Sequence, residues 1–212
     1  MTREERLEKQ KQRLIEMKVP EEDLHEQGYR CIAGIDEVGR GPLAGPVVAG
    51  AVILSPDCEI LYLNDSKKLS EKKRELLYDE IMEKAVATGI GVISPARIDE
   101  INILQATYEA MRMAISNLKV QPSVLLNDAV TIPLVEIPQV PIIKGDAKSV
   151  SIAAASIIAK VTRDHMMVEY EEIYPGYGFA SNKGYGSAQH IAALKELGPT
   201  PIHRRTFIKN IL

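Results

Sequence analysis

Two short apolar runs joined by a glycine-rich link constrain the fold of this chain more than any other feature. Residues 31–35 and 46–54 are apolar, the second rich in β-branched residues, and the link between them reads GRGPLAG. Two such runs with a short glycine-containing connection predict an antiparallel pair of strands. Further strand-like runs and helical patterns then alternate along the chain, with strands expected at 89–94, 123–127 and 140–143 and helices at 70–87, 105–118, 149–174 and 187–197. This order predicts an α/β fold in which helices flank a mixed five-stranded sheet.

The first 29 residues differ in character from the rest of the chain. Residues 2–18 are densely charged, with Leu7, Leu14 and Ile15 on a thin apolar stripe, and Pro20 is expected to end their helix. We therefore expect residues 1–29 to form a charged helical extension, either loosely docked or acting as a phosphate-contacting arm. Residues 30–212 would form the main domain.

Composition excludes several classes of protein. The chain has 212 residues, 45% of them hydrophobic, and lacks the long apolar stretch that a membrane-spanning helix needs. Two cysteines make no disulfide framework, and the charged N-terminus is unlike a signal peptide. We expect a soluble cytoplasmic protein. Its net charge of −3 does not by itself indicate nucleic-acid binding, although residues 144–212 carry a net +3.

Carboxylates follow the apolar runs at the points where strands should end. Asp36 and Glu37 follow the first run, Asp128 follows 123–127, and Asp146 lies between 140–143 and a helix. Any one of these acids could be a turn former or a helix cap. If all four converge, they repel one another unless a divalent cation lies between them, and Mg²⁺ and Mn²⁺ prefer such oxygen ligands. Because neighbours on a strand face opposite sides, Asp36 and Glu37 are expected to share a site only if the strand bends.

The glycine-rich link also satisfies the dinucleotide-binding pattern GxGxxA over residues 39–44. That pattern requires a helix directly after it, with the pyrophosphate at the helix N-terminus. The residues that follow here, PVVAGAVIL, have strand character. A nucleotide-cofactor oxidoreductase is therefore excluded.

Four motifs, in order, resemble those of bacterial ribonuclease HII, the type 2 ribonuclease H family. They are GIDEVGRGPLAGPVVAGAVIL, NDSKKLS, KGDAKSVSIAAASIIAKVTRD and YPGYGFASNKGYGS, and the resemblance spans residues 30–206. It implies an RNase H-like fold with a C-terminal helical appendage at about 187–212. It also implies a monomeric endonuclease that cuts RNA in RNA–DNA hybrids and cuts 5′ of single ribonucleotides in duplex DNA, leaving 3′-hydroxyl and 5′-phosphate ends.

The resemblance also implies roles for individual residues. The catalytic metal ligands would be Asp36, Glu37, Asp128 and Asp146, holding two Mg²⁺ or Mn²⁺ ions. The backbone of Gly39, Arg40 and Gly41 would read the ribose 2′-hydroxyl, and Tyr185 would stack on the next sugar. Phosphates would meet five lysines, each of which could equally be a surface lysine: Lys67, Lys68, Lys144, Lys148 and Lys183.

Some residues depart from the family pattern, and one alternative stays open. Asn127, Asn182 and Ser187 stand where an apolar residue, His and Thr are more usual. The four histidines are expected at the surface or behind the site rather than as catalysts. The GRG motif and the KGYG tyrosine favour type 2 over type 3 ribonuclease H. The alternative is a catalytically silent protein that binds RNA–DNA hybrids.

Overall fold

A computed structural model describes residues 2–64 and 66–212, apart from the side chain of Lys67. The strands are β1 (Ile32–Val38), β2 (Val47–Ile53), β3 (Ala87–Ile93), β4 (Val124–Asp128) and β5 (Gln139–Ile142). The helices are α1 (Arg3–Glu26), α2 (Glu71–Lys84), α3 (Pro95–Ser116), α4 (Val150–Ile173), α5 (Phe179–Asn182), α6 (Ala188–Leu197) and α7 (Arg205–Ile208). Single 3₁₀ turns cover Ser66–Lys68 and Gly145–Ala147.

The predicted mixed five-stranded sheet is confirmed, with strand order β3-β2-β1-β4-β5. The predicted antiparallel pair is β1 with β2, and β2 also pairs antiparallel with β3. In contrast, β1 runs parallel to β4, and β4 runs parallel to β5. Ile35 lies opposite Asn127 in this register. The residues that follow them, Asp36 and Asp128, therefore lie on neighbouring strands at the same end of the sheet.

Two long helices cover the two faces of the sheet. Helix α3 packs on the face that carries Ala33 and Ile35, and α4 packs on the other face with a run of alanines. A side chain on Gly34 would collide with the α4 backbone, because its Cβ would lie 2.1 Å from the carbonyl carbon of Ser151. The small residues of both elements thus bring α4 close to the sheet, so that Ser156 in its second turn reaches Asp36.

The predicted break at Pro20 is wrong, because α1 continues through this residue to Glu26. A proline inside a helix removes one backbone hydrogen bond and crowds the preceding turn. Contacts beyond Pro20 offset this cost: Leu24 packs with β1 and β4, and Glu21 bonds to the start of α4. Nor is the helix loosely docked, since Leu14 and Met17 are buried in the core around α4.

Helix α3 begins ten residues before the predicted start. Asn102 interrupts it with a positive φ of 67°, and its side chain caps the following turn by accepting from the N–H groups of Leu104 and Gln105. Sequence reasoning found the second part of α3, but it missed the short helices α5 and α7. Over the described ranges, no helix is both long and apolar enough to cross a membrane.

Candidate active site

Asp36 and Glu37 lie side by side near the end of β1. The strand stays paired with β2 through Val38, so the bend expected between the two acids is absent. Alternation directs the Asp36 side chain toward α4, where it is hydrogen-bonded to Ser156. Glu37 points to the other side and accepts from Nη1 of Arg40 at 3.2 Å. The two carboxylates therefore lie on opposite faces of the strand, although the charge of Glu37 still acts on Asp36.

Asp128 lies at the end of β4, beside β1 in the sheet. One of its carboxylate oxygens, Oδ1, accepts from the Gly145 N–H at 2.7 Å. Gly145 begins the 3₁₀ turn that carries Asp146, which is half-buried. Asp128 therefore fixes the start of the segment that holds the fourth predicted ligand.

The carboxyl groups of Asp36, Glu37 and Asp128 influence one another electrostatically. Burial, together with the charges of Glu37 and Asp128, raises the pKa of Asp36 well above its usual range. Burial and Asp128 also raise the pKa of Glu37, and Arg40 opposes this rise. Such shifts are typical of carboxylates gathered in a buried site.

The four predicted ligands are of the right chemical type for a hard divalent cation, although the structure does not bring them together into a complete coordination site. Among residues 2–64 and 66–212, no three His, Cys, Asp or Glu side chains are placed to hold a metal ion. The chemistry is nevertheless suitable, because every predicted ligand is a carboxylate and oxygen is the ligand atom that Mg²⁺ and Mn²⁺ prefer. Oε2 of Glu37 is also buried and has no hydrogen-bond partner among the described residues. A buried carboxylate oxygen of this kind is suited to bind a cation.

Asp146 belongs to a segment, residues 144–149, that α1 contacts from outside. Arg13 of α1 donates from Nη2 to the carbonyl of Ala147 at 3.4 Å and to Oδ1 of Asn64 at 2.9 Å. Glu21 of α1 accepts from the Ser149 hydroxyl at 2.5 Å and from the Ser151 N–H at 3.0 Å. The N-terminal helix therefore helps to hold the segment that carries Asp146.

The glycine-rich loop, residues 39–46, leaves β1 beside the carboxylates. Two buried arginines, Arg163 and Arg204, donate to its carbonyl oxygens from the protein interior. Gly39 has a φ of +89°, and a Cβ on it would lie 2.3 Å from Nε of Arg163. Glycine is therefore required at position 39 by its left-handed backbone and by the arginine beneath it.

Tyr185 lies next to this loop, on the segment between α5 and α6. Its side chain is 47% exposed, and a Cβ on Gly41 would lie 3.8 Å from its ring. The two departures nearby have structural roles. Asn182 donates to the Tyr177 carbonyl at 2.7 Å and accepts from the Gly184 N–H at 2.8 Å, and Ser187 caps α6.

The predicted phosphate-contacting lysines have different surroundings. Lys68, Lys144 and Lys148 are exposed, whereas Nζ of Lys183 donates to the Ala180 carbonyl at 2.6 Å. The prediction for Lys67 concerns a side chain outside the described part of the chain.

Two of the four histidines lie buried behind Tyr185. Nε2 of His190 is 3.0 Å from Nε2 of His203, and Nδ1 of His190 is 2.8 Å from the Tyr185 carbonyl oxygen. Nδ1 of His203 accepts from the Thr200 N–H, so the proton of neutral His203 is on Nε2 and points at His190. Burial lowers the pKa of both rings, that of His203 to about 4. The pair is therefore neutral at pH 7 and holds the backbone of Tyr185.

Sequence reasoning missed Arg163, Arg204 and Glu21 as parts of the site. No local pattern distinguishes them from surface charges, because their partners are backbone groups or serines far away in the chain. The nearest signal was that Arg163 follows the apolar first half of α4.

Comparisons with known proteins show which family this chain belongs to. The family described as Ribonuclease HII matches residues 33–210. The ribonuclease HII of Lachnoclostridium phytofermentans is 76% identical over 191 residues, covering 90% of this chain and 75% of that protein. The ribonuclease HII of Bacillus subtilis is 58% identical over 197 residues, covering 93% and 77%.

Among solved structures, the ribonuclease H2 of Pyrococcus horikoshii superposes with a TM-score of 0.71 at 30% identity, covering 85% of this chain and 96% of that one. The predicted RNase H-like architecture is thereby confirmed. Sequence and structure agree that the chain belongs to the ribonuclease HII family.

Proposed function

We propose that this chain is a metal-dependent endoribonuclease. It hydrolyses the RNA strand of RNA–DNA hybrids and cuts 5′ of single ribonucleotides in duplex DNA, leaving 3′-hydroxyl and 5′-phosphate ends. One observation carries the proposal: the mutually interacting carboxyls of Asp36, Glu37 and Asp128 lie at one sheet edge, beside the glycine-rich loop and Tyr185. Membership of the ribonuclease HII family supports the reaction class.

Asp36, Glu37, Asp128 and Asp146 would hold the cations, Mg²⁺ or Mn²⁺, in our proposal. A related ribonuclease HIII has been crystallised with Mn²⁺, at 18% identity to this chain. When bound, a pair of divalent ions supplies an activated water and a counter-charge for the departing 3′-oxygen. The protein contributes a nearly dry site and fixed ligands: Ser156 bonds to Asp36, the Gly145 N–H to Asp128, and Arg40 to Glu37.

Recognition of the ribonucleotide would use backbone groups. The 2′-hydroxyl is the group that distinguishes RNA from DNA at a single position. Among the described residues, no acceptor takes the N–H of Arg40 or Gly41, so both are available to a sugar hydroxyl. The exposed ring of Tyr185 would stack on the sugar that follows.

Exposed lysines would supply affinity that does not depend on sequence. Lys68, Lys144 and Lys148 lie on segments that adjoin the carboxylates, where a phosphate backbone must pass. We extend the same role to Lys67 and Lys183. Such contacts position a duplex without reading its bases. We further propose that the protein acts as a monomer in the cytoplasm.

A single assay tests the proposal. A duplex with one embedded ribonucleotide is incubated with Mg²⁺, Mn²⁺ or EDTA, and the product ends are mapped. We expect one cut on the 5′ side of the ribonucleotide with either metal and none in EDTA. Asp36→Asn and Asp146→Asn should each lower the rate at least about 1,000-fold, because they remove charge needed at the cation site.

Asp79→Asn provides the matched control, since Asp79 is an exposed acid on α2 and should tolerate the change. Cleavage by Asp146→Asn at the wild-type rate would overturn the assignment of this ligand. Selective binding of hybrids without any cleavage would instead favour the silent hybrid-binding protein.

A further inference from the structure

Arg163 and Arg204 are the two largest side chains that are completely buried, each with 0% of its surface exposed. Arginine is rarely buried without a carboxylate partner. Neither forms a salt bridge with a described acid. Burial lowers the pKa of Arg163 to about 10 and that of Arg204 to about 9, so both remain charged at pH 7. A pair of buried cations in this position needs a functional explanation.

Arg204 donates to three carbonyls of the glycine-rich loop. Its Nη2 bonds to the Gly39 oxygen at 2.5 Å, and its Nη1 bonds to the Arg40 oxygen at 2.9 Å. Its Nε and Nη2 share the Gly45 oxygen at 3.0 and 2.9 Å. One guanidinium thus joins the start of the loop to its end.

Arg163 lies beside it and joins the loop to the Tyr185 segment. Its Nε donates to the Pro46 oxygen at 2.9 Å, and its Nη2 donates to the Ala44 oxygen at 3.1 Å. Its Nη1 donates to the Lys183 oxygen at 2.9 Å, two residues before Tyr185. The two elements proposed to recognise the substrate are therefore tied to one buried side chain.

Peptide geometry gives these contacts a consequence for the outer surface of the loop. In a trans peptide, the N–H of a residue points opposite to the carbonyl of the residue before it. The Gly39 carbonyl shares its peptide with the Arg40 N–H, and the Arg40 carbonyl shares its peptide with the Gly41 N–H. Because Arg204 holds both carbonyls inward, both N–H groups must point outward.

The buried charge also strengthens those outward donors. A carbonyl that accepts from a cation is polarised, and hydrogen bonds in a chain reinforce one another in a medium of low dielectric constant. The Arg40 and Gly41 N–H groups donate to no other residue in the described ranges. They are therefore free, oriented and activated.

We propose that Arg204 is a specificity-determining positioning residue, which directs the Arg40 and Gly41 N–H groups at the ribose 2′-hydroxyl. Arg163 fixes the distance between these donors and Tyr185. Lysine cannot replace either arginine, because one ammonium cannot span carbonyls that a planar guanidinium reaches from three nitrogens. This inference rests on the proposed function, since it assumes that the loop reads a ribose.

The test compares Arg204→Lys with the wild type in EDTA, so that no substrate is cut. Fluorescence anisotropy gives the dissociation constants for a duplex with one ribonucleotide and for the all-DNA duplex of the same sequence. We expect the ratio of the two affinities to fall about tenfold or more in Arg204→Lys, with binding to all-DNA duplex nearly unchanged. An unchanged ratio in the folded variant would overturn the proposal.

Met111→Ala provides the control for destabilisation, because Met111 is fully buried on the α3 side of the sheet, away from the loop. It should lower the melting temperature and leave the affinity ratio alone. A similar fall of the ratio in Met111→Ala would show that instability, rather than donor orientation, controls recognition.

A measurement on the wild type decides the question if Arg204→Lys does not fold. In ¹⁵N spectra, the ribonucleotide duplex should shift the amide signals of Arg40 and Gly41, and the all-DNA duplex should leave them in place. Equal shifts with both duplexes contradict the inference. A wild type that binds the ribonucleotide duplex selectively but never cuts it contradicts the proposed nuclease and leaves this inference standing.

Discussion

Two loops flank the carboxylates, and the protein holds them from opposite sides. The glycine-rich loop is held from within, by guanidinium groups of Arg163 and Arg204 that donate to its carbonyls. The segment 144–149 is held from outside, by side chains of Arg13 and Glu21 on the N-terminal helix. The first arrangement uses two buried cations that donate to backbone carbonyls, and the second uses the buried carboxylate of Glu21 together with the half-buried Arg13.

This difference separates two tasks. The arginines lie inside the stretch that matches the ribonuclease HII family, residues 33–210, whereas Arg13 and Glu21 precede it. The arginines that orient the glycine-rich loop therefore belong to the family core. The placement of Asp146 relies partly on a helix outside that core. Variants on the two sides should consequently fail in different ways.

The largest effect is expected from Arg204→Ala. Its loss leaves three loop carbonyls without this donor and opens a large cavity, so we expect the free energy of unfolding to fall by about 4 kcal/mol. Chemical denaturation monitored by circular dichroism measures this change. Arg97→Ala, which removes an exposed arginine, serves as the control and should cost far less. Equal losses from the two variants would contradict the importance of burial.

A second prediction concerns the pH dependence of stability near the glycine-rich loop, where His203 lies behind Tyr185. His203 has a pKa of about 4 when folded and about 6.5 when unfolded, so the unfolded chain binds more protons between these values. Its contribution to stability is present above pH 6.5 and is lost as the pH falls through 4. The stability advantage of the wild type over His203→Gln should shrink by about 3 kcal/mol between pH 7 and pH 4. A constant difference would show that the ring is not held neutral.

A third prediction concerns Glu21, which holds the segment 144–149 from the N-terminal helix. Glu21→Ala leaves the hydroxyls of Ser149 and Ser151 and one helix N–H without their acceptor, which should cost about 2 kcal/mol. Glu21→Gln keeps an acceptor oxygen and should cost less than half as much. Hydrogen exchange should increase across 144–151 in Glu21→Ala and stay unchanged in the glycine-rich loop. Faster exchange in both places would mean that the two loops are not held independently.

The smallest expected effect is the most selective. Tyr185→Ala removes an exposed ring and should leave stability within about 0.5 kcal/mol of the wild type. Cleavage at a single embedded ribonucleotide should fall about tenfold, consistent with the loss of one stacking contact. Cleavage of a long RNA–DNA hybrid, measured in parallel, should fall less. An equal loss on both substrates would argue against a role in sensing the RNA–DNA junction.

The sheet and the carboxylates were predictable because both depend on short stretches of sequence. Apolar runs identified all five strands, and the acids that follow three of these runs marked the candidate site. The assumed bend in β1 was wrong, because the pairing with β2 carries Asp36 and Glu37 in a regular strand. Both side chains still lie close enough to Asp128 for its charge to raise their pKa values.

What could not be predicted depends on contacts between distant residues. Arg204 bonds to residues that precede it by about 160 positions, and carbonyl acceptors leave no trace in the side-chain pattern. The predicted helix end at Pro20 was wrong for a similar reason. Local propensity predicts that a helix ends there, whereas the burial of Leu24 and Glu21 beyond it decides that the helix continues.

Carbonyl oxygens have a property that side-chain partners lack: no point mutation deletes them. The anchoring of the glycine-rich loop by its two arginines therefore does not depend on the side chain at an exposed position such as 40. An engineer could vary that position to reshape what the enzyme touches, while the path of the main chain stays as it is.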